Sequence, residues 1–219
     1  MSEELGKIEK PPAEEFKRGR KLYFVPLIYG GRESTAEYVE KLNKYWSQVE
    51  KQMTDLELKL GSPNRIYHEL IPVSGEDGAK VIKDLNDRSY QVVKNRLEKG
   101  AQLEATEDGE LLTEFMDWSR CLAVGLQNQR VFTTVYESYA KVSKKRNEHI
   151  ARHINETLKV DEIGALFMRQ GHRIQFPPDI DVFYVAPPAL DEINRWLRDR
   201  EAKPPQQGDS AVEEKGGNQ

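Results

Sequence analysis

Three features are scarce in this chain of 219 residues, and each scarcity excludes a class of protein. The single cysteine, Cys121, excludes an internal disulfide and is typical of a reducing compartment. No apolar run approaches the roughly 20 residues that a membrane-spanning helix requires. No basic stripe marks a nucleic-acid-binding face, because 33 basic and 37 acidic residues are interleaved and the net charge is -4. We therefore expect a soluble cytoplasmic protein that binds neither nucleic acid nor membrane.

The two ends of the chain are poor in apolar residues, whereas the middle has enough of them to form a core. Residues 1–20 and 201–219 are charged and contain proline, and they cannot bury enough apolar surface to offset the entropy of ordering. The N-terminus, MSEELGKIEKPPAEE, also lacks the apolar centre of a signal peptide. We expect disordered tails at both ends and a single domain over residues 21–200.

Apolar periodicity predicts strands that alternate with helices along most of the chain. Short apolar runs predict strands at KLYFVPLI (21–28), RIYHELIPV (65–73), AQLEATE (101–107), ALFM (165–168) and VFYVAP (182–187). A single helix is predicted between Val81 and Gly100, and a long helical stretch runs from about residue 109 to Leu158 with a break near Gly125. This order is typical of an α/β fold with a mostly parallel sheet flanked by helices and a long helical insertion in the middle.

The most informative segment runs from Lys144 to Val185 and contains three of the chain's four histidines. Its pattern predicts a helix, a buried strand, a Gly-His turn and a second strand. A polar residue that follows a buried strand lies at the mouth of the sheet, where α/β proteins bind ligands. His172, just after the strand ALFM, is therefore a candidate general base or metal ligand. The alternative is a turn histidine that hydrogen-bonds to a neighbouring loop.

Other polar side chains are expected at the same edge of the sheet. Arg146 and Asn147 lie on the inward side of their helix, where they form either an anion clamp or a structural bridge to carbonyls of the sheet. His68 and Glu69 are neighbours in a strand, so that one faces the core and the other a pocket. Glu107 lies at a strand-to-helix turn, either as a catalytic acid or as a carboxylate that stabilises the start of the helix.

His149 and His153 are four residues apart on one helix, and this spacing puts both imidazoles on one face that could hold a metal such as zinc. A third ligand is missing from the pattern, and so is an H-E-x-x-H motif. We therefore expect a histidine pair without a metal. The sequence identifies no cofactor, because it contains neither G-x-G-x-x-G nor a P-loop.

The order of elements resembles that of a group of uncharacterised bacterial and archaeal proteins, through the first strand, the turn ATEDGELL (105–112) and the block RNEHIARHINETLKVDEIGALFMRQGH (146–172). More remotely, this block is similar to the end of the TraB, ChaN and erythromycin-esterase-like superfamily. There, a helix with Arg and Asn precedes an apolar strand and a Gly-His turn; the matching positions are Arg146, Asn147, Gly171 and His172. The superfamily usually has a histidine or an acid after its first strand, where this chain has Ile28-Tyr29-Gly30. The resemblance thus implies the fold and the place of the site more than an activity.

The expected function is the binding of a small, anionic molecule in a pocket lined by Arg146, Asn147, His172 and either Glu107 or Glu69. If the protein is an enzyme, we expect hydrolysis, with His172 as the base and Arg146 holding the anionic group. The alternative is a non-catalytic interaction module, in which long, charged helices form the partner surface and the histidines are structural. The sequence gives no oligomeric state.

Overall fold

The computed structural model describes residues 18–31 and 34–201, which form a parallel sheet with helices on both faces. The strands are β1 (Arg20–Pro26), β2 (Arg65–His68), β3 (Gln102–Leu103), β4 (Ile163–Met168) and β5 (Ile180–Tyr184). The helices are α1 (Ala36–Leu60), α2 (Gly75–Leu85), α3 (Asp87–Leu97), α4 (Gly109–Ala123), α5 (Gln129–Thr157) and α6 (Pro188–Glu201). The predicted α/β class with a long helical insertion is confirmed. Most of both expected tails lies outside the described residues.

The strand order is β3-β2-β4-β1-β5, and every pair of neighbours is parallel. β4 therefore lies between β1 and β2, with Ala165 opposite both Tyr23 and Ile66. From β2 the chain leads outward to β3, whereas from β4 it leads in the other direction to β5. The connections that leave the carboxyl ends of the neighbouring strands β2 and β4 therefore run in opposite directions along the sheet. Open α/β sheets form their ligand crevices at such switch points.

Successive residues of β1 face opposite sides of the sheet, and each side packs against different helices. Tyr23 and Val25 belong to the larger core, which α1, α2, α3 and α6 complete. Leu22 and Phe24 belong to the smaller core, to which α5 contributes residues such as Ile154. Burying each such apolar side chain contributes about 1.5–3 kcal/mol. The second half of α5 is therefore fixed to the sheet by its apolar stripe.

The first half of α5 extends past the sheet and pairs with α4. The 29 residues of α5 make a helix about 43 Å long at 1.5 Å per residue. Phe115 is the buried side chain of α4, and its ring lies 5.3 Å from the ring of Tyr139. The two helices form a hairpin over the carboxyl edge of the sheet. Among the described residues, no helix is both long enough and apolar enough to cross a membrane.

The region of the predicted helix between Val81 and Gly100 contains two helices, α2 and α3. Asn86 separates them because its backbone leaves the helical region, with φ −156° and ψ 87°. Its side chain accepts a hydrogen bond from the Ser89 N–H at 3.2 Å, and its amide nitrogen donates to the carbonyl of Ile28 at 3.0 Å. Asparagine favours such a cap over a helix interior.

Two predicted strands are much shorter in the structure, the last strand begins two residues earlier than predicted, and the boundary of the N-terminal tail shifts. β2 ends at His68 because Leu70 has a φ of 67°, which an extended strand cannot contain. β3 keeps only two residues of the predicted run. Arg20, which was expected in the N-terminal tail, is the first residue of β1 and forms an ion pair with Asp179 at 2.7 Å.

Candidate functional site

A cavity of about 900 Å³ lies between the carboxyl edge of the sheet and the α4–α5 hairpin. This volume is in the range of small-molecule sites, about 300–1,000 Å³. Four of the residues predicted from the sequence line it: Glu69, Arg146, Asn147 and His172. The fifth, Glu107, does not itself line the cavity, but it pairs with Arg146 from behind. The structure thus places the predicted residues in one region of the molecule.

Glu107 and Arg146 form a buried ion pair that fixes the guanidinium at the back of the cavity. Arg146 donates from Nε to Glu107 Oε2 at 2.7 Å and from Nη2 to Oε1 in a short contact. The backbone N–H of Leu70 donates to the same Oε1 at 2.9 Å. The Glu107 side chain has no exposed surface. Both of its oxygens are engaged, so this geometry favours a positioning role for Glu107 over the predicted catalytic one.

The remaining edge of the Arg146 guanidinium is available to a ligand. Glu107 uses the Nε–Nη2 edge, and no residue in the described ranges hydrogen-bonds to Nη1. A guanidinium offers five N–H donors in one plane, so the Nη1–Nη2 edge can still bind a carboxylate or phosphate through two hydrogen bonds. The Phe115 ring covers the guanidinium at 4.6 Å, which restricts its rotation. Burial disfavours its charged form, but the hydrogen bonds and charge of Glu107 outweigh this effect and raise the pKa of Arg146.

Glu69 and Arg169 form a second ion pair, and it spans the switch point. Glu69 directly follows β2 and Arg169 directly follows β4, with Nε and Oε1 separated by 2.8 Å. The Tyr29 hydroxyl, three residues past the end of β1, donates to the same Oε1 at 3.2 Å. Glu69 is 1% exposed, whereas the Arg169 side chain is half exposed. The two pairs place two guanidinium groups at one cavity, each held through Nε by a buried carboxylate.

Burial makes the Glu69 carboxyl a stronger base than an ordinary glutamate. The pKa of Glu69 is raised mainly because burial penalises the carboxylate, although the charge of Arg169 opposes the shift. Burial also raises the pKa of the Tyr29 hydroxyl, and the neighbouring charge of Glu69 raises it further. Tyr29 therefore remains a hydrogen-bond donor to Glu69 at neutral pH.

A strained residue separates Glu69 from the next turn. Leu70 has a φ of 67°, a conformation that costs a residue with a side chain about 1–2 kcal/mol. This left-handed backbone conformation turns the chain so that the Leu70 N–H donates to Glu107 while the Glu69 side chain lines the cavity. A strained backbone persists only where surrounding contacts hold it in place, and such residues cluster at functional sites.

His172 lines the cavity, but its hydrogen bond does not fit the predicted role as a base. Its Nδ1 accepts from the Ile174 N–H at 3.2 Å, so the neutral ring carries its proton on Nε2. Burial lowers the pKa of His172, which favours this neutral form. The ring also packs on Phe24 at 4.8 Å. In this state His172 is a hydrogen-bond donor.

Asn147 and several residues that the sequence did not indicate complete the lining. Asn147 is half-buried, and no residue in the described part of the chain hydrogen-bonds to its side chain. Sequence reasoning missed Tyr29 and Arg169, although both follow strands, which is the signal that identified His172. It also missed two cations, Lys144 and Arg173, and three aromatic residues of the hairpin, Phe115, Tyr136 and Tyr139.

The other histidines lie outside the cavity. His68 faces the core, where its ring atoms contact the Glu69 carbonyl at 2.8 Å and the Ser89 hydroxyl at 3.1 Å, and burial lowers its pKa to about 4. The parallel rings of His149 and His153 are 6.2 Å apart. Within the described ranges, no three metal-binding side chains form a cluster. Comparisons of the chain with protein-family models, curated proteins and solved structures find no match.

Proposed function

We propose that the protein binds a small organic anion in the cavity at the carboxyl edge of its sheet. The observation that carries this proposal is the pair of anchored guanidinium groups, Arg146 on Glu107 and Arg169 on Glu69. Each is held through Nε, so its terminal nitrogens can bind a carboxylate or phosphate without a large loss of side-chain entropy.

The charges of the lining support an anionic ligand. Among the described residues, the lining has four cationic side chains, Lys144, Arg146, Arg169 and Arg173, against two carboxylates, Glu69 and Glu148, with Glu107 as a third carboxylate behind Arg146. The whole chain, in contrast, has a net charge of -4. Positive charge is therefore concentrated at a concave site, where it attracts anions most strongly.

Calorimetric titration with phosphate and acetate tests the proposal. We expect binding in the millimolar range, and we expect Arg169→Met to weaken it at least about tenfold because a hydrogen bond to a charged group is worth about 1.5–3 kcal/mol. Arg120→Met is the matched control. Arg120 is an exposed arginine of α4 that also pairs with a carboxylate, Asp117, and it does not line the cavity. Equal weakening in both variants, or no binding to the wild type, would contradict the proposal.

Hydrolysis of a bound ester is a further proposal for the same site, and one observation favours it. Glu69 is a buried carboxyl with a raised pKa at the cavity, which suits a general base for an attacking water. His172 then donates a hydrogen bond from Nε2. A screen of carboxylic and phosphoric esters should find a substrate whose turnover is lost in Glu69→Gln and largely kept in His172→Gln, since glutamine retains a donor. Turnover that is unchanged in Glu69→Gln would contradict this chemistry.

The alternative function is an interaction module, and here we propose a second copy of the chain as the partner. The end of the hairpin exposes apolar side chains, among them Val124 at 74% and Val131 at 47%. α4 contains three acidic residues and one basic residue, whereas residues 129–145 contain four basic residues and one acidic residue. Two hairpins related by a two-fold axis would therefore attract each other. Sedimentation should show a dimer that Val131→Glu dissociates; a monomer at all concentrations would exclude it.

A further inference from the structure

The hairpin presents an aromatic wall to the cavity, and the loop that follows β4 lines the same cavity. Phe115 comes from α4, and Tyr136 and Tyr139 come from α5, three residues apart and so on neighbouring positions of one helix face. Phe115 and Tyr139 pack with ring centroids 5.3 Å apart. Arg169 and Arg173 lie on the loop that follows β4. The hairpin thus contributes both aromatic rings and the cation Arg146 to the cavity, and the loop contributes two further cations.

The aromatic wall is open to a ligand, although large apolar side chains are normally buried. Tyr136 is 53% exposed, and Tyr139 is half-buried. Phe115, in contrast, is covered by Arg146 and Tyr139 and completes the packing of the wall. Tyrosines in binding sites supply rigid, flat contact area at a low entropic cost. A ligand that covered Tyr136 and Tyr139 would bury apolar surface that the protein itself leaves in water.

We infer that the ligand of this cavity is an anion that carries a planar ring, with the anionic group at Arg146 and Arg169 and the ring against Tyr136 and Tyr139. This inference rests on the proposed binding of an anion. Arg146 and Tyr139 are seven residues apart on α5, which is about 10 Å at 1.5 Å per residue. Both side chains contact the Phe115 ring, with the Arg146 guanidinium at 4.6 Å and the Tyr139 ring at 5.3 Å from its centre, so a short linker is enough to join the ring and the anionic group of the ligand. The cavity volume of about 900 Å³ accommodates such a molecule.

Two pairs of probes test the inference by calorimetry, each with and without a ring. They are 4-phenylbutyrate against butyrate, and phenyl phosphate against inorganic phosphate, so that the two pairs also distinguish a carboxylate from a phosphate. We expect the ring to strengthen binding about tenfold in at least one pair. An effect of this size is typical of a nucleic-acid base that stacks on an aromatic side chain. Tyr139→Leu should remove most of this gain, and it should weaken the binding of butyrate and phosphate by a much smaller factor.

Tyr90→Leu is the matched control, because Tyr90 is also half-buried but packs in the core on the other face of the sheet. It should keep the gain from the ring. No gain in either pair would overturn the inference while anion binding stands. Equal weakening of ring-bearing and ring-free probes by Tyr139→Leu would overturn it as well, because the wall would then be structural. If the ring-free anions do not bind either, both the inference and the proposed function fail.

Discussion

The buried pair of Glu107 and Arg146 allows a quantitative prediction about stability. Arg146→Met leaves the Glu107 carboxylate without its counter-ion, and of the hydrogen bonds that the described residues make to it, only the one from the Leu70 N–H remains. Both partners are almost fully buried, with side chains 5% and 0% exposed, so solvent cannot replace the lost contact. Removal of one partner from a buried pair costs about 3–5 kcal/mol. We therefore expect Arg146→Met to lower the free energy of unfolding by that amount.

A double-mutant cycle separates the interaction energy of Glu107 with Arg146 from the contribution of the packing around them. Glu107→Gln should also cost about 3–5 kcal/mol alone, because it leaves the buried Arg146 charge without a counter-ion. In the Glu107→Gln, Arg146→Met variant no buried charge is left unpaired. We expect the loss in this variant to be smaller than the sum of the single losses by at least about 2 kcal/mol.

Urea unfolding at pH 7, followed by far-ultraviolet circular dichroism, measures these differences. Lys145→Met is the control, since Lys145 is the exposed neighbour of Arg146 on the same helix and should change stability by less than about 0.5 kcal/mol. A loss below about 1 kcal/mol in Arg146→Met, or additive single losses, would refute the argument that this pair holds the back of the cavity.

Two further predictions concern the core. His68 has a pKa of about 4 in the folded protein and about 6.5 when unfolded, so the unfolded chain binds more protons between these values; stability should fall by roughly 3 kcal/mol as the pH drops from 6.5 to 4. Urea unfolding across that range should show a weaker dependence in His68→Gln, and an identical dependence would contradict the assignment. Gly164→Ala should cost about 1–3 kcal/mol, because the new Cβ would lie 2.9 Å from Leu22 and 3.0 Å from Tyr67. Gly109→Ala meets only a carbon at 4.0 Å and should not destabilise; equal losses in the two alanine variants would show that the steric argument is wrong.

The sequence predicts the elements of this fold because their signals are local. Alternating apolar runs identify the strands, and Thr35 and Asp108, whose residue types favour helix caps, accept hydrogen bonds from backbone N–H groups in the first turns of α1 and α4. The signal weakens where tertiary contacts decide. Asn86 fits a helix interior by periodicity, yet its bonds to Ser89 and Ile28 divide the helix in two.

The candidate site is only partly encoded in local patterns. The inward position of Arg146 follows from helical periodicity, and the two-residue repeat of a strand predicts that one of His68 and Glu69 faces the pocket without deciding which. The pairing of Glu69 with Arg169 cannot be predicted in this way, because it depends on β4 lying beside β2. The state of His172 likewise depends on one contact with the Ile174 N–H.

The aromatic wall was missed for a different reason. The tyrosines of a long helix at three- and four-residue spacing are normally core residues. On α5 they are not, because the first half of the helix extends beyond the sheet and packs against α4 on one side only. Which tyrosine is exposed is therefore a property of the assembled hairpin.

The most direct test of the proposed site is to observe the two guanidinium groups during anion binding. The Nε–H signals of the arginines can be followed by nuclear magnetic resonance and assigned with single Arg→Lys variants. We predict that phosphate or 4-phenylbutyrate shifts the signals of Arg146 and Arg169. Arg96 is the internal control, because it is buried on the other face of the sheet and donates from Nε to Glu57 at 2.7 Å. Shifts at Arg146 and Arg169 that saturate together, with Arg96 unchanged, are the expected result; saturable binding that leaves both of these signals in place would contradict the account.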